Sequence, residues 1–134
     1  MDNVLIGLDG QAKISDFGVS AFIGSEKVVR GSKRHYSPEA ITRETDLYYT
    51  EKADVYMYGC FLYEYTHRQV FFGDISDVSE VNKVVLQGKR PPIDMNCNKQ
   101  MAQLIVDCWN QSENSRPSFS RIKDQLGKMV VTEI

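Results

Sequence analysis

The sequence predicts a mainly helical α+β fold: one short β-hairpin, a long irregular stretch, and then four helices. Three observations carry this expectation. Two short apolar runs flank an Asp9-Gly10 turn. Between Val19 and Lys33 no apolar period is visible, and Ser20, Gly24, Ser25, Gly31 and Ser32 cluster there. From Thr50 onward, apolar residues recur at helical spacing behind capping residues.

In chain order, Val4 to Ile6 is apolar and branched, and Ala12 to Ile14 resumes the strand after the turn. The stretch from Val19 to Lys33 reads as a long loop, and loops of that length in compact domains are usually functional or disordered. Thr50 can cap a helix running to about His67. That helix carries Ala53, Val55, Tyr56, Met57, Cys60, Phe61, Leu62 and Tyr65 on nearly every face, the pattern of a buried central helix. Asp77 followed by Glu80 resembles a capping box, with Val78, Val81, Val84, Val85 and Leu86 as the apolar stripe and Gly88 as the stop. Pro91-Pro92 forces an extended link. Met101, Leu104, Ile105 and Cys108 define the next helix, and Ser118 caps a last one carrying Phe119, Ile122, Leu126 and Val130.

Composition narrows the function classes. The 134 residues, 42% hydrophobic and 25% charged, suit one globular domain with a real core. A net charge of −2 argues against nucleic acid or an anionic membrane as the main partner. Cys60, Cys97 and Cys108 are an odd set without metal-ligand spacing, which favours reduced thiols in a cytoplasmic or nuclear setting. No apolar run reaches membrane-spanning length and no secretory leader is visible, so a cytoplasmic protein without a membrane span is expected.

The motifs then fall into an order. Asn3, Asp16-Phe17-Gly18, Ser37-Pro38-Glu39, Asp54 with Gly59, and Cys108-Trp109 with Arg116-Pro117 follow one another along nearly the whole chain. This set resembles the second half of a eukaryotic protein kinase domain. The resemblance implies the helical large lobe of the kinase fold, incomplete, with one N-terminal hairpin. Within residues 1–134 it implies a hairpin at 3–15, an activation segment at 16–39 and a helical lobe at 50–130.

Kinase chemistry is mostly positioning and charge neutralisation of ATP phosphates by Mg²⁺, which takes hard oxygen ligands. By resemblance, Asn3 and Asp16 are those metal ligands, and Phe17 and Gly18 complete the nucleotide-side switch. Ser32 stands where a hydroxyl contacts the catalytic Asp, and Ser20, Ser25 and Ser32 are candidate phosphorylation sites. Lys27, Arg30, Lys33 and Arg34 make the segment basic, suited to gripping a phosphate or an acidic substrate, or simply to solvation. Glu39 and Arg116 match a structural ion pair, and Asp54 a buried Asp bracing the catalytic loop. Read from the residues alone, Asn3 is a turn residue, Asp16 a strand-terminating cap and Asp54 a first-turn helix residue. Trp109 reads as core packing.

The resemblance implies a protein Ser/Thr kinase of the tyrosine-kinase-like type, with Tyr specificity the weaker option because Gly31-Ser32 precedes Tyr36. Other parts of such a kinase are missing from these residues. There is no G-x-G-x-x-G loop and no Val-Ala-x-Lys strand, and the catalytic Asp would fall upstream of Met1. His67-Arg68-Gln69 only superficially resembles the catalytic-loop motif. The isolated chain is therefore expected to be inactive, with Val55, Phe61 and Leu62 left uncovered until the missing lobe or a covering partner packs on them. The alternative is a non-catalytic interaction or regulatory module.

Overall fold

The computed structural model of the chain describes residues 3–17, 20, 33–42 and 50–133, with side chains of the last helix described as far as Met129. Gly18, Ser25, Lys27, Arg30 and Ser32, and most of the expected loop, lie outside the described residues.

The hairpin forms where the turn signal places it. Strands β1 (Val4–Ile6) and β2 (Ala12–Ile14) pair antiparallel, with Val4 opposite Ile14 and Ile6 opposite Ala12. The Gly7 amide donates to the Gln11 carbonyl at 2.8 Å and the Gly10 amide to the Gly7 carbonyl at 2.9 Å. Gly10 sits at φ +76°, the left-handed residue that closes such a three-residue loop.

A short helix that the apolar pattern does not announce follows, α1 (Pro38–Thr42). Five residues are too few to show a period. The available signal was Pro38 at the first helical position, where its fixed φ suits the helix and its missing N–H costs nothing. The Ile41 amide donates to the Ser37 carbonyl at 3.0 Å, and the Thr42 hydroxyl donates back to the Pro38 carbonyl at 3.2 Å.

The four expected helices are present as α2 (Glu51–His67), α3 (Val78–Leu86), α4 (Lys99–Cys108) and α5 (Phe119–Glu133). The Thr50 hydroxyl accepts the Lys52 amide at 3.2 Å, and Ser118 Oγ accepts the Arg121 amide at 3.2 Å. The start of α3 departs from a closed capping box. Asp77 Oδ1 accepts the Ser79 amide at 2.9 Å, but Glu80 turns outward to Lys83 Nζ at 2.7 Å. An i,i+3 cation one turn on draws the carboxylate away from the helix start. At the other end of α3, Gly88 at φ +83° lets its amide reach the Val85 carbonyl at 3.0 Å and the Lys89 amide reach Val84 at 3.1 Å. This is the paired bonding of a Schellman stop.

Helix α2 is central, with Val55, Tyr56 and Cys60 fully buried. Val81 and Val85 of α3, Leu104 and Ile105 of α4, and Ile122 of α5 join them in one cluster. Trp109 closes it, its ring centroid 5.5 Å from Tyr63 and 5.8 Å from Phe71. Phe71 lies in the α2–α3 connection and is fully buried, a core position that helical periodicity could not reveal.

The expectation that Val55 and Leu62 lack cover is not met: they are 0% and 4% exposed within this cluster. The open strip runs beside them instead. Tyr58 stacks on Phe61 at 5.7 Å, Phe61 on Tyr65 at 6.2 Å, and Phe119 meets Tyr58 edge-on at 5.7 Å. Tyr65 is 61% exposed, and Leu5, Ile6 and Ile14 of the hairpin are 55%, 71% and 72% exposed. A 3.6-residue turn separates the buried and open faces, so adjacent apolar residues of one helix have opposite fates.

Gly59 marks the closest approach of α2 to α4. A Cβ there would lie 2.9 Å from Cys108 Cβ and 3.0 Å from the Trp109 nitrogen. Gly59→Ala is expected to destabilise the chain by about 1–3 kcal/mol through overpacking. Gly127→Ala, with nothing within 4 Å of its Cβ in α5, should stabilise by about 0.5–1 kcal/mol. Urea denaturation of the two variants checks both signs.

Candidate functional site

The hairpin brings Asn3 and Asp16 to one edge. The Ser15 amide donates to the Asn3 carbonyl at 2.9 Å, so the residues flanking the two strands remain neighbours. Asp16 adopts φ +64°, left-handed backbone that Asp tolerates better than most residues. Both residues are exposed and line a groove of about 720 Å³ whose floor includes Met57, Phe61 and Phe119. Phe17, next in sequence, is 66% exposed.

An amide oxygen and a carboxylate are hard donors that suit Mg²⁺, which keeps waters and phosphate oxygens for its other positions. Among the described residues no group of three or more His, Cys, Asp or Glu is placed to hold a metal. Two such donors fit an ion that takes its remaining ligands from water or phosphate oxygens.

Glu39 and Arg116 meet across 77 positions of sequence. Arg116 Nη1 donates to Glu39 Oε1 at 2.6 Å and Nη2 to Oε2 at 2.9 Å, a two-pronged pair. The guanidinium also donates to the carbonyls of Asn110 at 2.8 Å and Lys52 at 2.9 Å. Lys52 Nζ returns a bond to the Arg116 carbonyl at 2.7 Å. Arg116 is 2% exposed and lies over the Tyr56 ring at 5.2 Å. Burial by itself would raise the Glu39 carboxyl, but the bonds and charge of Arg116 outweigh it and hold the group below the usual glutamate range.

Asp54 is exposed on the first turn of α2 and shares the groove wall with Asn3 and Asp16; the catalytic loop that the resemblance has it brace is not among these residues. An acidic residue in a first turn complements the helix dipole without burial.

Arg34, read as one of four basic loop residues, is instead an anchor. Its Nη1 donates to the carbonyls of Phe72 and Ile75 at 2.9 Å each, and Nη2 to Ser76 at 3.4 Å. Beside it, Glu64 Oε2 receives the Phe71 amide at 2.8 Å and lies 3.2 Å from His35 Nε2. The Arg34 contacts and the His35–Glu64 contact span long sequence separations, and no local pattern pointed to Arg34, His35 or Glu64 as a set. His67 is likewise structural: its Nε2 accepts the Asp94 amide at 2.9 Å.

The three cysteines are free thiols. Burial pushes Cys60 upward and Cys108 up to about 12, so both stay protonated and unreactive at neutral pH. No helix among the described residues is long and apolar enough to cross a membrane.

A mainly helical chain with one two-stranded hairpin, in which Glu39 of α1 is bridged to Arg116 just before α5, is consistent with a protein kinase large lobe. The family model for protein tyrosine and serine/threonine kinases matches residues 1–126, and the chain belongs to that family. It is 35% identical, over 98% of its length, to a probable serine/threonine-protein kinase of Dictyostelium discoideum, of which it spans 14%. It is 32% identical over 95% of its length to the serine/threonine/tyrosine-protein kinase HT1 of Arabidopsis thaliana, spanning 33% of that protein. It is also 38% identical over 86% of its length to the probable inactive serine/threonine-protein kinase roco10 of Dictyostelium discoideum, spanning 4% of it. The chain thus covers a third or less of these relatives. Membership of the family implies ATP and a divalent metal in general terms.

Removing either partner of the Glu39–Arg116 pair strands a buried charge. Arg116→Ala is expected to cost about 3–5 kcal/mol, read from the urea midpoint. Because the folded Glu39 value lies below the ordinary 4.5, its stabilisation is complete above that value and is lost as pH falls through the folded value. The acid limb of a stability–pH curve, below about pH 4.5, should therefore be shallower in Glu39→Gln than in the parent chain.

Proposed function

We propose that the chain is the C-terminal part of a protein kinase domain that, in the complete protein, transfers the γ-phosphate of ATP to Ser or Thr of a protein substrate. The observation that carries this reading is the placement of Asn3 and Asp16 on one hairpin edge above the groove. Their two oxygens would hold Mg²⁺ against the nucleotide phosphates. The metal, when bound, neutralises phosphate charge during transfer. Phe17 and Gly18 follow Asp16 as the nucleotide-side switch, and the Ser32 hydroxyl serves the substrate side. Ser20, which is exposed, and Ser25 and Ser32 are phosphate acceptors on the activation segment. Tyr specificity is less favoured because Gly31-Ser32 precedes Tyr36.

Glu39 and Arg116 take the structural role, fixing the end of residues 16–39 to the helical lobe of residues 50–130. The open strip of Tyr58, Phe61, Tyr65 and Phe119, with the apolar hairpin faces, is covered by the remainder of the kinase domain. The free cysteines, of which Cys60 and Cys108 are buried, fit a cytoplasmic setting. These 134 residues alone do not transfer phosphate, since no Gly-rich loop or strand Lys is among them to clamp ATP.

A second reading, a non-catalytic interaction module, draws support from the same uncovered aromatic strip and from the relative named as inactive. Mg²⁺–ATP-dependent phosphorylation of a generic protein substrate by the native product separates the two. Under the kinase reading, Asp16→Ala lowers kcat about 100-fold or more, the several kcal/mol a displaced metal supplies. A native product that neither binds Mg²⁺–ATP nor transfers phosphate leaves the module reading. Phosphate transfer by residues 1–134 alone, abolished in Asp16→Ala, would overturn the claim of inactivity.

A further inference from the structure

A second concavity lies away from the hairpin groove and shares none of its lining residues. It sits between the α2–α3 connection and the Pro91-Pro92 link and holds about 620 Å³, within the size range of ligand pockets. We propose that it is a docking pocket for one cationic, alkyl-stemmed side chain, Lys or Arg, presented by a protein partner.

The walls are preformed. Arg34 ties the Phe72 and Ile75 carbonyls together from one side, which fixes the turn that carries Gly73 and Asp74. On the other side His67 holds the Asp94 amide and so pins the chain just beyond Pro92 to the end of α2. Phe72 is kept at φ +49°, a left-handed conformation that a Phe adopts only when its surroundings fix it. A ligand entering here orders little that is not already ordered.

The lining chemistry selects among occupants. Val70, Phe72, Pro91 and Pro92 supply apolar walls. Asp74 supplies an exposed carboxylate that has no hydrogen bond or ion pair among the described residues. An anion would face that carboxylate, and Nη1 of Arg34 is already engaged by the Phe72 and Ile75 carbonyls, with Nη2 directed at Ser76. A purely apolar side chain would cover the carboxylate without pairing it, which is unfavourable. A side chain with an alkyl stem and a terminal cation lays the stem on the apolar walls and brings the charge to Asp74. Tyr63 stands at the back of the pocket; burial and then the Asp74 charge push its hydroxyl up, so it remains a neutral donor–acceptor there.

The test uses the ¹⁵N-labelled chain, a blocked peptide Ala-Ala-Pro-Arg-Pro-Ala-Ala, and two counterparts with norleucine or Glu at the central position. Expected are amide shifts centred on Gln69, Gly73 and Asp74 with the Arg peptide. Affinity should fall about fivefold in Asp74→Asn, the scale of an exposed ion pair, and fall again with added salt. Asp74→Lys should reverse the preference towards the Glu peptide. Asp74 is exposed and makes no structural bond among the described residues, so both variants should fold as the parent does. Equal binding of the norleucine peptide, shifts elsewhere on the chain, no binding at millimolar peptide, or an affinity unchanged by both Asp74 variants would each overturn the proposal.

Discussion

Most of the described structure hangs on one buried guanidinium. Arg116 is removed from water, so every one of its donors must find an acceptor inside the protein. It finds them in three separate places: the Glu39 carboxylate of α1, the Lys52 carbonyl at the start of α2, and the Asn110 carbonyl after α4. No local sequence preference holds α1 against the helical lobe, because five residues cannot form a stable helix in isolation. The cost of leaving the charge unpaired supplies the constraint instead. Tyr56 shares it from below: both Arg116 and Arg90 lie over its ring, at 5.2 and 5.1 Å.

The molecule is consequently well determined on one side and open on the other. Helices α2 to α5 form a closed cluster around Tyr56, Ile105 and Trp109. The hairpin, in contrast, exposes apolar residues of both strands and meets the lobe across a groove lined by aromatic side chains. An isolated two-stranded hairpin is marginal in water and needs another surface to pack on. The same logic applies to the ladder of Tyr58, Phe61 and Tyr65: three aromatics in register are a packing surface awaiting an opposite face.

What the sequence disclosed follows the range of the interactions. Strands, turn glycine, helix caps and the Gly88 stop are decided within a few residues, and they appear at the expected positions. Asn3 and Asp16 were legible as neighbours because a hairpin with a known turn fixes which residues face each other. The Arg34 contacts and the His35–Glu64 contact were not legible, since they reach 29 to 42 positions along the chain. The missing lobe misled in one instance. Val55 and Leu62 looked exposed because a packing partner was missing, yet they face α3 to α5, and Tyr65 does not.

The two ends of the segment between hairpin and lobe are held by forces of different kind. At the Asp16 end, the chain leaves a two-stranded hairpin through a single left-handed residue that is open to water. At the far end, Arg34 crosslinks the α2–α3 connection, His35 meets Glu64, and Glu39 is locked to Arg116, all within six residues. Breaking the second set leaves carbonyls and charges unsatisfied inside the protein, whereas rotating the first exchanges one solvated conformation for another. The Glu39 end is therefore the fixed one, keeping α1 in register with the helical lobe, and the Asp16 end is the one where a backbone rotation breaks nothing buried. Under the function proposed above, that freedom belongs to the residue assigned to the metal, and the fixed end belongs to the structural pair.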